Sequence, residues 1–201
     1  MNSSNTIRFG GLAYLIAGLS LILLSVFDLA VTDTAVPARA AVHTIAYIGL
    51  ALGILGLVAI YSVQADKIAR LGLIGFTLAL VGNSMTAGAA FLNAYIVPIA
   101  PDLTAATGPL FTGPAGIVIL LSAGLVTAGF VMFGIATMRA GVLPRWAALL
   151  VTASAWFGLA AAFAPVAFHV GGVVFGLGNA WLGYAVWSRQ GKMDRQGTPA
   201  A

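Results

Sequence analysis

Six long apolar runs set the pattern of this chain, and the short stretches between them carry most of its prolines and charges. The runs fall at about residues 9–29, 40–61, 72–97, 115–137, 147–163 and 167–187. An α-helix needs about 17–25 apolar residues to cross the hydrocarbon core of a bilayer, and each run fits that range or slightly exceeds it. The pattern predicts an all-α polytopic membrane protein, a six-transmembrane-helix bundle over residues 8–187. A polar N-terminal tail (1–7) and a polar, basic C-terminal tail (188–201) are expected to be disordered. The first run exceeds the roughly 7–15 apolar residues of a signal peptide. It also lies well before the small-residue tripeptide Ala38-Arg39-Ala40, so it reads as a retained helix.

The third run is the only one with a cluster of polar side chains at mid-membrane depth. Asn83, Ser84 and Thr86 fall near its centre, and Asn93 lies further along. On a helix Asn83, Thr86, Ala90 and Asn93 share a face. Amides and hydroxyls are costly against lipid, so that face is expected to look into the bundle. Small residues recur in the other runs, as in Gly49-x-x-x-Gly53 and Gly172-x-x-x-Gly176, where close helix approach is expected. Gly82-Asn83 in the third run and Gly178-Asn179 in the sixth occupy corresponding places in two three-helix halves. With an odd number of helices per half, a true repeat is inverted, as in several transporter folds. Ala17-Gly18-Leu19 and Ala123-Gly124-Leu125 echo each other at a different offset. Among 25 glycines such echoes also arise by coincidence.

Composition supports the membrane reading. Of 201 residues, 61% are hydrophobic and 7% charged, and the mean hydropathy is +1.04. Soluble domains carry about a quarter charged residues. The net charge of +4 is spread thinly, with no basic patch interleaved with aromatics, so nucleic acid is not an expected partner. Arg8, Lys67, Arg70, Arg139, Arg145, Arg189, Lys192 and Arg195 fall on one side of the six-run topology, and Arg39 alone on the other. The positive-inside bias then puts both termini in the cytoplasm. The expected location is an inner (plasma) membrane. The expected partners are the lipid bilayer and, through the small-residue seams, other membrane proteins or further copies of the chain.

The candidate chemistry is sparse. With no cysteines, thiolate sites and disulfides are ruled out. His43 and His169 lie in the outer parts of the second and sixth runs, where both can reach one site at similar depth. Two imidazoles on facing helices suit a b-type haem or a metal. The alternative is that each bonds to a neighbouring helix or to water. Asp28, Asp33 and Asp102 give the outer mouth an acidic character, or serve as solvated loop carboxylates. Asn83, Ser84, Thr86, Asn93 and Asn179 form a polar set for a small neutral ligand, or bond across helices. No nucleophile elbow, phosphate-binding glycine loop or His-Glu-x-x-His motif is present, so catalysis has no evident seat.

The turn Arg139-Ala140-Gly141-Val142-Leu143-Pro144-Arg145-Trp146, with Arg70-Leu71-Gly72 and Gly75-Phe76 ahead of the third run, resembles a pattern in uncharacterised multi-pass bacterial inner-membrane proteins. The resemblance covers the basic turns and their flanking runs, about half of the chain. It implies a bacterial inner-membrane location and carries no activity. Three functional readings follow. One is a non-enzymatic interaction subunit or binder of a small apolar or neutral ligand. The second is a small-solute transporter using the central Asn/Ser/Thr pocket, and the third is haem or metal binding through His43 and His169.

Overall fold

The computed structural model describes residues 3–30, 36–97, 99–100, 102, 108, 112–160 and 166–196. Among them the chain is all-helical. Helix α1 is Ser3–Ala30, α2 Val36–Ser62, α3 Ala69–Phe91, α4 Pro114–Ala140, α5 Arg145–Ala160 and α6 Val166–Gln196. A single π-helical turn, Leu92–Ile96, extends α3. Five of the helices are long and apolar enough to cross a membrane. Helix α5 has 16 residues, about 24 Å at 1.5 Å per residue, short of a core about 30 Å thick. Both end helices run into the expected tails. Helix α1 begins at Ser3 and α6 continues to Gln196, through a segment rich in the good helix formers Arg, Gln, Lys and Met.

Local chemistry sets several of these boundaries. Gly113 is extended ahead of Pro114, which occupies the first turn of α4, where its missing N–H costs nothing. Gly141 ends α4 in the left-handed conformation at φ +65°, and its N–H reaches the Thr137 carbonyl at 3.3 Å. The connection from α2 to α3 is anchored inward by Ile68 and Gln64, each 2% exposed. Gln64 Nε2 donates to Thr137 Oγ1 of α4 at 3.0 Å. Ala69, at φ +55°, is the one non-glycine residue of the described chain with positive φ.

The six helices form a closed ring in chain order. Each packs on its sequence neighbours, α6 returns to α1, and α2 touches α6 across the middle. The two most intimate crossings are α1 with α6 and α3 with α4, and both are built on glycine. Ideal Cβ atoms placed there show how close the backbones come. A Cβ at Gly18 would stand 2.5 Å from Ala180 N, and one at Gly176 2.6 Å from Gly18 O. In α3 and α4, a Cβ at Gly82 would stand 2.6 Å from Val126 N, and one at Gly75 2.5 Å from Phe133 N. In each pair residue numbers rise on one helix as they fall on the other, so both crossings are antiparallel.

The two crossings are copies of one another. A shift from 75 to 176 carries Gly75, Ala79 and Gly82 of α3 onto Gly176, Ala180 and Gly183 of α6. A shift from 18 to 129 carries Tyr14, Leu15, Gly18 and Ile22 of α1 onto Leu125, Val126, Gly129 and Phe133 of α4. The contacts correspond under this exchange. Gly82 meets Leu125 and Val126 as Gly183 meets Tyr14 and Leu15, and Gly129 meets Ala79 as Gly18 meets Ala180. Gly75 meets Phe133 as Gly176 meets Ile22. The two junctions therefore share one antiparallel packing motif, α3 on α4 and α6 on α1. The register differs from the Gly-Asn echo. Gly82 packs on α4, whereas Gly178 packs on Val151 and Ala147 of α5, so those glycines are not equivalent.

Candidate functional site

The two halves meet around a small polar centre. Asn83 of α3 and Asn179 of α6 are 6% and 3% exposed. With Tyr14 of α1, Gly49 and Gly53 of α2, and Phe130 of α4, they line a cavity of about 10 Å³. That volume is close to the minimum for one water molecule. Gly49 is pressed against Ser20 of α1, and a Cβ added at Gly53 would stand 3.7 Å from Asn83 Nδ2. Asn83 Nδ2 donates to the Leu50 carbonyl of α2 at 3.0 Å. Asn179 Oδ1 and the Tyr14 hydroxyl are buried without a partner among the described residues. A buried polar atom left without a partner costs about 1–3 kcal/mol, so both atoms favour a polar guest.

The other members of the expected polar set go elsewhere. Thr86 Oγ1 donates to the Gly82 carbonyl at 2.9 Å, and Ser84 Oγ donates to the Leu80 carbonyl at 2.8 Å. Ser84 is exposed on the outer surface of the bundle, because one residue turns a helix by about 100° away from Asn83. Asn93 falls in the π-helical turn, and its side chain lies outside the described residues. Tyr14 is the member that sequence reasoning missed. Its signal was a phenol inside the first apolar run, about a quarter of the way along it and inward of the interfacial belts where tyrosines concentrate.

A second cluster forms at the other end of α1 from its N-terminus. Asp28 Oδ1 of α1 lies 3.3 Å from His43 Nε2 of α2. The approach is at ion-pair distance but is not aligned as a hydrogen bond, and Nε2 has no other partner. His43 is 7% exposed. Arg39 of α2 and His169 of α6 lie within electrostatic reach of the same carboxylate. Thr44 Oγ1 is bonded back to the Ala40 carbonyl at 2.7 Å and lies 3.2 Å from the Tyr95 hydroxyl on the π-helical turn. Asp102 is exposed, and Asp33 lies outside the described residues.

The structure thus brings His43 to Asp28. The imidazole nitrogen that would ligate a haem iron faces a carboxylate. No group of three His, Asp or Glu side chains placed to hold a metal ion occurs among the described residues. Neither histidine lines the central cavity.

Fold and site together define an all-α membrane protein with a buried, uncharged polar centre and an Asp–His pair near one end of the bundle. No protein-family model, curated protein or solved structure matches the chain.

Proposed function

We propose that this chain is a carrier for small uncharged polar solutes, with its binding site at Asn83, Asn179 and Tyr14. The observation that carries the reading is the position of that polar centre, where the matching junctions of two three-helix halves converge. Inverted repeats that meet at a midplane site are the architecture of many secondary transporters. The lining groups suit the solute class. A carboxamide oxygen and a phenol hydroxyl without partners among the described residues offer an acceptor and a donor, and no charged side chain lines the cavity. The water-sized volume corresponds to the closed state of such a site.

The topology that goes with this reading has six spans, with α5 supplying the fifth, and both termini in the cytoplasm. Eight Lys and Arg side chains against one support that orientation. The likeness of the Arg139–Trp146 turn to bacterial multi-pass proteins supports an inner-membrane location. The test is osmotic stopped-flow light scattering on proteoliposomes holding the full chain, with glycerol, urea and water as probes. Uptake of at least one probe above protein-free liposomes, reduced several-fold by Asn83→Ala with Asn179→Ala, is the expected result. Permeability equal to protein-free liposomes for all three, or unchanged in the double variant, overturns the proposal.

A second reading, a membrane interaction subunit, draws on Gly88 of α3 and Gly124 of α4. A Cβ at either would meet no atom of the described residues within 4 Å, so small-residue surface there is offered to a further helix. Co-purification of a defined membrane partner, lost in Gly124→Leu, would support it.

A further inference from the structure

The Asp28–His43 pair is not used by the solute site, and its geometry has a chemical consequence. A carboxylate oxygen and an unprotonated imidazole nitrogen both present lone pairs, which repel at 3.3 Å. A proton between them turns the contact into a charge-assisted attraction. Nothing else in the described structure satisfies Nε2, which is buried. Asp28 stands two residues from the end of the apolar span Asn5–Ala30 with its side chain 19% exposed, and a carboxylate near a span end is stabilised by a paired proton donor or cation.

We infer that Asp28 and His43 hold one proton between them and form a proton-binding latch that ties α1 to α2 beyond the central cavity. In neutral His43 the proton sits on Nε2, 3.3 Å from Asp28 Oδ1, and a turn of the ring aligns it for donation, which leaves Nδ1 as the unprotonated nitrogen. This selects one imidazole tautomer over the other. Among the described residues, the charged and titratable groups within electrostatic reach of Asp28 besides His43 are Arg39, one turn earlier on α2, and His169 on α6. Among the described groups Arg39 balances the carboxylate. The latch joins two of the helices that line the cavity, α1 through Tyr14 and α2 through Gly49 and Gly53. It does not depend on solute transport, and its test needs no flux.

The chain has two histidines, so nitrogen-15 NMR of the full chain, histidine-labelled and purified without a histidine tag, gives two resolvable ring systems. His43→Gln assigns them. At pH 8 the expected result is His43 in the Nε2–H tautomer, with that proton's signal lost or the tautomers mixed in Asp28→Leu. His43 in the Nδ1–H tautomer, or unchanged in Asp28→Leu, overturns the latch. Thermal unfolding adds an independent measure. Asp28→Leu should lower the midpoint by about 2–4 °C, and Asp28→Asn, whose carbonyl still accepts the Nε2 proton, should recover most of it. An equal loss in both variants also overturns the latch. If Asp28→Leu does not fold, the wild-type tautomer decides alone.

Discussion

Gly129→Ala tests the glycine crossings most directly, because the same helix supplies its own control. A Cβ at Gly129 would fall against the Ala79 backbone, closest to its N and 2.7 Å from its Cα, where ordinary contact begins at 3.4 Å, so α3 and α4 must part by at least about 0.7 Å. The obstacle is backbone, which has no rotamer to yield. Overpacking of this kind costs about 1–3 kcal/mol, while Gly→Ala within a helix gains up to about 1 kcal/mol from backbone entropy. Gly124→Ala, on the same helix with no atom of the described residues within 4 Å, has the gain without the clash. The propensity term cancels in the comparison, so Gly129→Ala should unfold more easily than Gly124→Ala by about 1–3 kcal/mol. The assay is reversible unfolding in mixed micelles of rising dodecyl sulfate fraction, followed by loss of helicity. Because the α1–α6 junction copies α3–α4, Gly18→Ala should fall in the same range as Gly129→Ala. Equal stabilities for Gly129→Ala and Gly124→Ala would refute the close-crossing argument. A large cost at Gly129 beside none at Gly18 would refute the equivalence of the junctions.

Asn83→Ala removes the bond to the Leu50 carbonyl and should cost roughly 0.6 kcal/mol in the same unfolding assay, the average for polar contacts between membrane helices. Asn179→Leu removes a buried oxygen that has no partner among the described residues. It should leave stability unchanged or raise it while reducing solute uptake, so that stability and flux move apart. A double-mutant cycle of Gln64→Leu and Thr137→Val should return a coupling of about 0.5–1.5 kcal/mol for their hydrogen bond, and additivity would show that the two side chains do not act together. Ala69→Gly relieves a left-handed backbone at φ +55° and should stabilise the chain by up to about 1–2 kcal/mol, read as a higher thermal midpoint.

Much of this architecture was legible from apolar run length alone, since each run of the sequence corresponds to a helix of the ring. The convergence of Asn83 and Asn179 was also legible, because two amides at mid-membrane depth must avoid lipid and the bundle centre is where they can. The failures have specific causes. Thr86 shares the Asn83 face in sequence, yet its hydroxyl finds the Gly82 carbonyl on its own helix and needs no second helix. Tyr14 was hidden because a lone phenol in an apolar run forms no polar cluster, and only the packing of α1 against α6 carries it to Asn179. The repeat was misaligned because dipeptide echoes ignore the partner helix. The true correspondence, Gly75-x3-Ala79-x2-Gly82 with Gly176-x3-Ala180-x2-Gly183, is a spacing set by which residues face α4 or α1. Asp28 and His43 flank one short connection, so their meeting was foreseeable from adjacency, but the facing of Oδ1 on Nε2 was not.

Closure of the ring by α6 against α1 has a consequence for biosynthesis. Of the six described helices α1 leaves the ribosome first, with Gly11 and Gly18 shaped to receive α6, the last of them to be made. During elongation this groove can face only lipid or the insertion machinery, since α2 covers a different side of α1. The bundle can form its first half early, but the α1–α6 junction waits until α6 has been threaded. Ribosome-bound chains arrested before α6 emerges should therefore leave Gly18 open to crosslinking by lipid-soluble probes, and release of a chain that includes α6 should protect it in a single late step.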